Sequence, residues 1–229
     1  MHRNFSSSGL VRLLGDLASV DVEPSKQDVA ERLGDWLDVF DAITLHAAHQ
    51  SIHALDGKNP SDALPAKAPP LEDEFHRVRT TLVKGITASA SPPASGNQAR
   101  NHLSPPEAPI ETDAGYAPHR QRYLAQQRQM VLRIEALRAY VRDAMTQVSP
   151  QLGQLASFDA VMDERLGARE QKLLSTVPVL LERRFKHLRS TQQQDLFGQE
   201  MQEVLLAELE VRLQPVVGLI EAFSNEVKK

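Results

Sequence analysis

Hydrophobic positions recur along most of this chain at steps of three and four residues, the spacing of a single helical face. Leu10, Leu13, Leu14 and Leu17 predict a short helix within 8–20. After the break "VDVEPS", Ser25 and Asp28 make a helix-start pattern. From there Val29, Leu33, Trp36, Leu37, Phe40 and Ile43 predict an amphipathic helix, with Asp28, Glu31, Asp35 and Asp38 on its solvated face. A third helix, "LEDEFHRVRTTLVKGI", puts Leu71, Phe75, Val78 and Leu82 on one side. It opens on acids, as the helix dipole favours.

The longest pattern covers 118–148, about 46 Å as one helix, with Pro118 suited to its first turn. Tyr123, Gln127, Met130, Ile134, Leu137, Val141, Ala144 and Val148 alternate steps of four and three, a heptad seam with one polar member. A seam this narrow needs a partner helix, within the chain or in another copy. The apolar members Tyr123, Met130, Ile134, Leu137, Val141 and Val148 are therefore the expected assembly seam, and a homo-oligomer is one expected outcome. Ser157 is a natural start for the next helix, with Phe158, Val161, Met162 and Leu166 as its apolar face. The pattern resumes at Leu173, Leu174, Val177, Leu180, Leu181, Phe185 and Leu188, where Pro178 should kink or restart it. A last helix runs from Met201 through Leu205, Leu209 and Leu213 to Ile220 and Phe223, with an interruption expected at Pro215.

No segment shows a convincing strand pattern, so the expected fold is all-α. It divides into an N-terminal helical region over 1–87, a flexible Pro/Ser/Ala-rich linker over 88–115, and a C-terminal long-helix region over 116–229. The last should close as a bundle or a coiled-coil-like hairpin. The linker expectation rests on five prolines and few large apolar side chains, too little to offset the entropy of ordering.

Composition narrows the chemistry. The chain has 229 residues and no cysteine, which excludes disulfides, thiolate metal sites and a cysteine nucleophile. No run approaches the roughly 18 apolar residues of a membrane span, and Asp16 arrives before a signal-length apolar run develops. A cytoplasmic protein without direct membrane insertion is expected. The net charge is −4, yet residues 117–190 hold 13 Lys/Arg against 7 Asp/Glu. Off the seam stand Arg120, Arg122, Arg128, Arg133, Arg138 and Arg142, and "ERRFKHLRS" adds Arg183, Arg184, Lys186 and Arg189. Concentrated cations in an acidic chain point to an anionic partner, either the phosphates of double-stranded DNA or an acidic protein segment.

Catalytic patterns are missing. There is no glycine-rich phosphate loop, nucleophile elbow, zinc-protease helix motif or adjacent His-Asp pair. His46, His49 and His53 share a helical face and suggest a metal. No cysteine or acid stands at close ligand spacing beside them, so they are expected to continue a polar stripe. The "EQK" of Glu170–Lys172 has the acid-x-lysine form of many nucleases, but those set it on a strand and here the surroundings are helical. No metal, cofactor or catalytic residue is expected.

The stretch "LVRLLGDLASVDVEPSKQDVAERLGDWLDVFDAITLHAA" carries a more specific signal. Its Ser25, Gln27, Ala30, Glu31, Arg32, Leu33, Trp36, Leu37, Asp41, Ala42 and Ile43 reproduce a Ser-x-Gln, Ala-Glu-Arg-Leu, Trp-Leu, Asp-Ala-Ile pattern. In this it resembles the opening of an uncharacterised proteobacterial helical family encoded beside MotA/ExbB-like and OmpA/MotB-like membrane proteins. That arrangement is similar to the type III Zorya antiphage system. The resemblance implies a cytoplasmic accessory or effector subunit that pairs with a sister subunit, has a functional link to the motor, and engages phage DNA. It implies no catalytic residues, because the matching positions are helix-packing ones.

Overall fold

Three prolines mark where helices begin. A computed structural model describes residues 9–18, 39–53, 70–88 and 115–228, and it is all-α there. In chain order the helices are α1 (Gly9–Ala18), α2 (Val39–His53), α3 (Leu71–Ala88), α4 (Ala117–Thr146), α5 (Pro150–Leu174), α6 (Val177–Ser190) and α7 (Asp195–Val227). Pro118, Pro150 and Pro178 all stand in the first turn of their helices, where a missing N–H leaves no hydrogen bond unmade.

This changes two boundaries read from the sequence. The helix expected from Ser157 starts at Pro150, because Ser149 is its cap and the Ser149 hydroxyl accepts the Leu152 N–H at 3.2 Å. Conversely, α7 runs through Pro215 without a break. Leu213, Val216, Leu219 and Ile220 are all buried around that proline, and their packing holds the helix together across the lost hydrogen bond. Between α6 and α7, Gln192 takes a positive φ of 58°. The Gln193 N–H reaches the Leu188 carbonyl at 2.8 Å and the Gln192 N–H reaches Arg189 at 3.3 Å, the paired bonds of a tight helix stop.

Side-chain contacts give the helix directions. The phenol of Tyr123 meets Glu208, and His119 stacks on Phe197, so α4 and α7 run parallel. Arg138 meets Asp159 while Gln127 meets Leu174, so α5 runs back against α4. Glu72 meets Ser224 and Arg79 meets Glu210, so α3 is antiparallel to α7. The result is an up-down-up-down bundle of α3, α4, α5 continued by α6, and α7. Helix α1 packs against α6 and α7, and α2 packs against α5.

One core runs through the bundle. It includes Leu10 of α1 and Leu71, Val78, Leu82 and Ile86 of α3 together with the C-terminal helices. The segments on either side of 88–115 therefore share their apolar interior. Residues 89–114, where the flexible linker was expected, lie outside the described residues, as do Val29–Trp36 and most of the family-like pattern. Where that pattern is described, it is turned differently from expectation. Ile43 is 59% exposed, while Asp41 is buried toward Arg165 and Arg169 of α5 at 3.8 and 3.9 Å. Two residues span about 200° of a helix, so facing Asp41 inward turns Ile43 out.

Candidate functional site

The long seam of α4 is the core side of the bundle. Tyr123, Met130, Ile134, Leu137 and Val141 are buried, and Val148, just past the helix end, is half-buried. The partner that the seam required is supplied within the chain, chiefly by α7. At its polar position the seam builds a network that hydrophobic periodicity did not reveal. Glu208 of α7 is 0% exposed. It accepts the Tyr123 hydroxyl at 2.5 Å, the Gln127 amide at 2.9 and 3.0 Å, and the Arg212 guanidinium at 2.9 Å. Burial, followed by the neighbouring Glu208 charge, pushes the Tyr123 hydroxyl far above its ordinary value and keeps it a donor. A signal was present: Glu208 follows Val204 by four residues and Leu205 by three, so it occupies a seam position of its own helix.

The ten basic candidates separate into groups. Arg138 and Arg142 face α5. Arg138 holds Asp159 in a two-pronged contact at 2.5 and 2.8 Å and reaches Asp163 at 2.6 Å. Arg142 bonds the same two carboxylates at 2.7 and 2.9 Å. Burial opposes the Arg138 charge, but the hydrogen bond and charge of Asp159 outweigh it and raise its pKa. Arg184 is likewise joined to Glu200 of α7 through two bonds, at 2.6 and 2.8 Å. These three guanidinium groups bind helices to one another. Arg128 and Arg133 are exposed on α4, but their five-residue separation sets them about 140° apart around it.

The remaining five share one end of the bundle. There Tyr116 and His119, at the start of α4, pack on Phe185 of α6 and Phe197 of α7, with ring centroids 5.1 to 6.1 Å apart. The Tyr116 hydroxyl donates to the Pro178 carbonyl at 2.6 Å, and burial, then the Glu182 charge, pushes its pKa up to about 12. At this end α4 carries Arg120 and the half-buried Arg122, about 200° apart around the helix, and α6 carries exposed Arg183, Lys186 and Arg189. Lys186 pairs with Glu182 at 2.8 Å, whereas Arg120, Arg122 and Arg183 have no ion pair among the described residues. His119 is held below its ordinary value by burial and then by the Arg122 charge.

A cleft of about 500 Å³ opens between α4, α5 and α7, with Arg138, Asp163, Glu170, Gln171 and Arg212 on its walls. Burial raises the Glu170 carboxyl above the usual range, against the attraction of Arg212 and Arg138. Of the three histidines considered for a metal, only the His46 side chain is described, and it meets Gln50 at 2.9 Å. Among the described residues no three His, Cys, Asp or Glu gather in a metal-holding group, and no helix is long and apolar enough to cross a membrane.

The model of a family described as "Protein of unknown function (DUF3348)" matches residues 1–225. The chain belongs to that family. The match takes in both the N-terminal helices and the bundle with its basic end. No curated protein and no solved structure matches the chain.

Proposed function

We propose that this chain is a non-enzymatic, cytoplasmic accessory subunit of a motor-linked antiphage system of the type III Zorya kind. In this reading it pairs with a sister subunit, and its basic end contacts the phosphates of double-stranded phage DNA. The observation that carries the reading is the sharing of one bundle end by Arg120, Arg122, Arg183, Lys186 and Arg189 in a chain of net charge −4. Phosphate contact requires cations in reach of a backbone and no catalytic group, which suits this surface. Arg138, Arg142 and Arg184 leave the DNA-facing set because carboxylates within the chain already hold them.

One observation favours a second reading, a scaffold that docks an acidic protein segment. The α6 cations already pair with carboxylates, Lys186 with Glu182 and Arg184 with Glu200. Reversing Arg183, Lys186 and Arg189 together to glutamate tests both readings. In cells carrying the complete gene group, the variant should keep its helicity and lose protection against phage. Retained capture of the sister subunit alongside lost protection supports DNA contact, while lost capture supports the protein dock. Full protection with capture intact would show that neither reading holds.

A further inference from the structure

Away from its seam, α4 carries an apolar stripe that the described residues leave exposed. Leu132 is 61% exposed and Tyr140 41%, and Ala136, midway between them, is exposed as well. Farther out along the stripe stand exposed Arg128 and exposed Asp143. Among the described residues Arg128 has no ion pair, and there the Asp143 carboxylate accepts the Gln147 amide, at 3.2 Å. The order along the helix is cation, apolar, small, apolar, anion, which becomes its own complement when reversed.

We infer that α4 pairs antiparallel with α4 of a second copy of this chain, across a two-fold axis at Ala136. An isologous interface demands self-complementarity, and the spacing provides it. At about 1.5 Å per residue, Leu132 and Tyr140 each lie about 6 Å from the axis, so Leu132 of one copy lies level with Tyr140 of the other, on the opposite flank of the contact line. Arg128 lies about 12 Å out on one side and Asp143 about 10.5 Å out on the other, so the two face each other across copies twice. Ala136 meets its own counterpart, and two methyl side chains let the helices approach to about 8 Å. Arg133 shares the flank of Tyr140, two turns away, which brings it to the Tyr140 ring of the second copy as a cation over an aromatic face. The pairing uses neither the buried seam nor the basic end, and it does not depend on DNA binding.

Charge exchange tests it with the full chain. Wild type should sediment as a dimer. Arg128→Asp alone and Asp143→Arg alone should each weaken the dimer at least about tenfold, because each creates two like-charge contacts. Mixing these two variants should restore association as a heterodimer, since both crossed contacts then join opposite charges. Circular dichroism of each variant should match wild type, as all substituted positions are exposed. A wild type that is monomeric at about 100 μM overturns the proposal. So does a dimer that the single variants leave unchanged, or a mixture no tighter than its components.

Discussion

Replacing Glu208 by leucine removes one carboxylate and strands three donors in the middle of the bundle. The Tyr123 hydroxyl, the Gln127 amide and the Arg212 guanidinium all point at that carboxylate, and Tyr123, Gln127 and Glu208 are buried. Each neutral buried donor left without a partner costs about 1–3 kcal/mol, and breaking a buried ion pair costs about 3–5 kcal/mol. These terms overlap, since Arg212 can still swing toward Gln171, which it already contacts at 3.3 Å. A net loss of about 4 kcal/mol follows, a large share of the roughly 5–15 kcal/mol that holds a typical domain folded. Urea unfolding followed by far-ultraviolet circular dichroism measures it directly. The combined variant Tyr123→Phe, Gln127→Leu, Glu208→Leu and Arg212→Leu should recover to within about 1 kcal/mol of wild type, because the three donors leave together with the carboxylate they face. A loss below about 1 kcal/mol for Glu208→Leu alone would refute the reasoning, since the carboxylate would then hold nothing together.

Two further outcomes follow from the same packing. Ile134→Asp places a carboxylate on the buried seam and should cost at least about 3 kcal/mol, read from the thermal midpoint; an unchanged midpoint would mean the seam is not buried. The folded-state pKa of His119 lies below its ordinary value of 6.5, so the folded chain binds fewer protons there than the unfolded chain. Its stability contribution is present above pH 6.5 and is lost as pH falls through the folded value. His119→Phe keeps the ring against Phe185 and Phe197 and should flatten that acid-side decline in urea midpoints. An equally steep decline in the variant would assign it to other groups.

Much of the bundle is legible in the sequence because the seam of α4 repeats without error from Tyr123 to Ala144, and all seven of its positions there are buried. Pro118 also reads correctly as a first-turn residue, and at Pro178, where a kink or a restart was expected, the helix restarts. The start of α5 was harder to see, since "SPQLGQ" carries a cap and a proline but almost no apolar face. Pro215 misleads because local propensity forbids what tertiary burial on both sides enforces. The basic residues are the clearest case of information absent from a linear count. Arg138 and Arg142 are four residues apart on one helix, and Asp159 and Asp163 are four apart on the next. Antiparallel packing turns those two ladders into one cross-linked set, so half of the long helix's charge excess is matched internally. Charge composition reports cations, and only the fold says which carboxylates they face.

The measurement that bears most directly on the proposed role is the affinity of the full chain for duplex DNA, with and without its sister subunit, across a range of potassium chloride concentrations. If the basic end tracks phosphates, the logarithm of affinity should fall with the logarithm of salt by about 0.9 for each phosphate neutralised. The Arg183, Lys186 and Arg189 charge-reversal variant should then lower the slope by about one unit per lost contact. Binding that does not depend on salt, or a slope that the reversal leaves unchanged, would contradict the account.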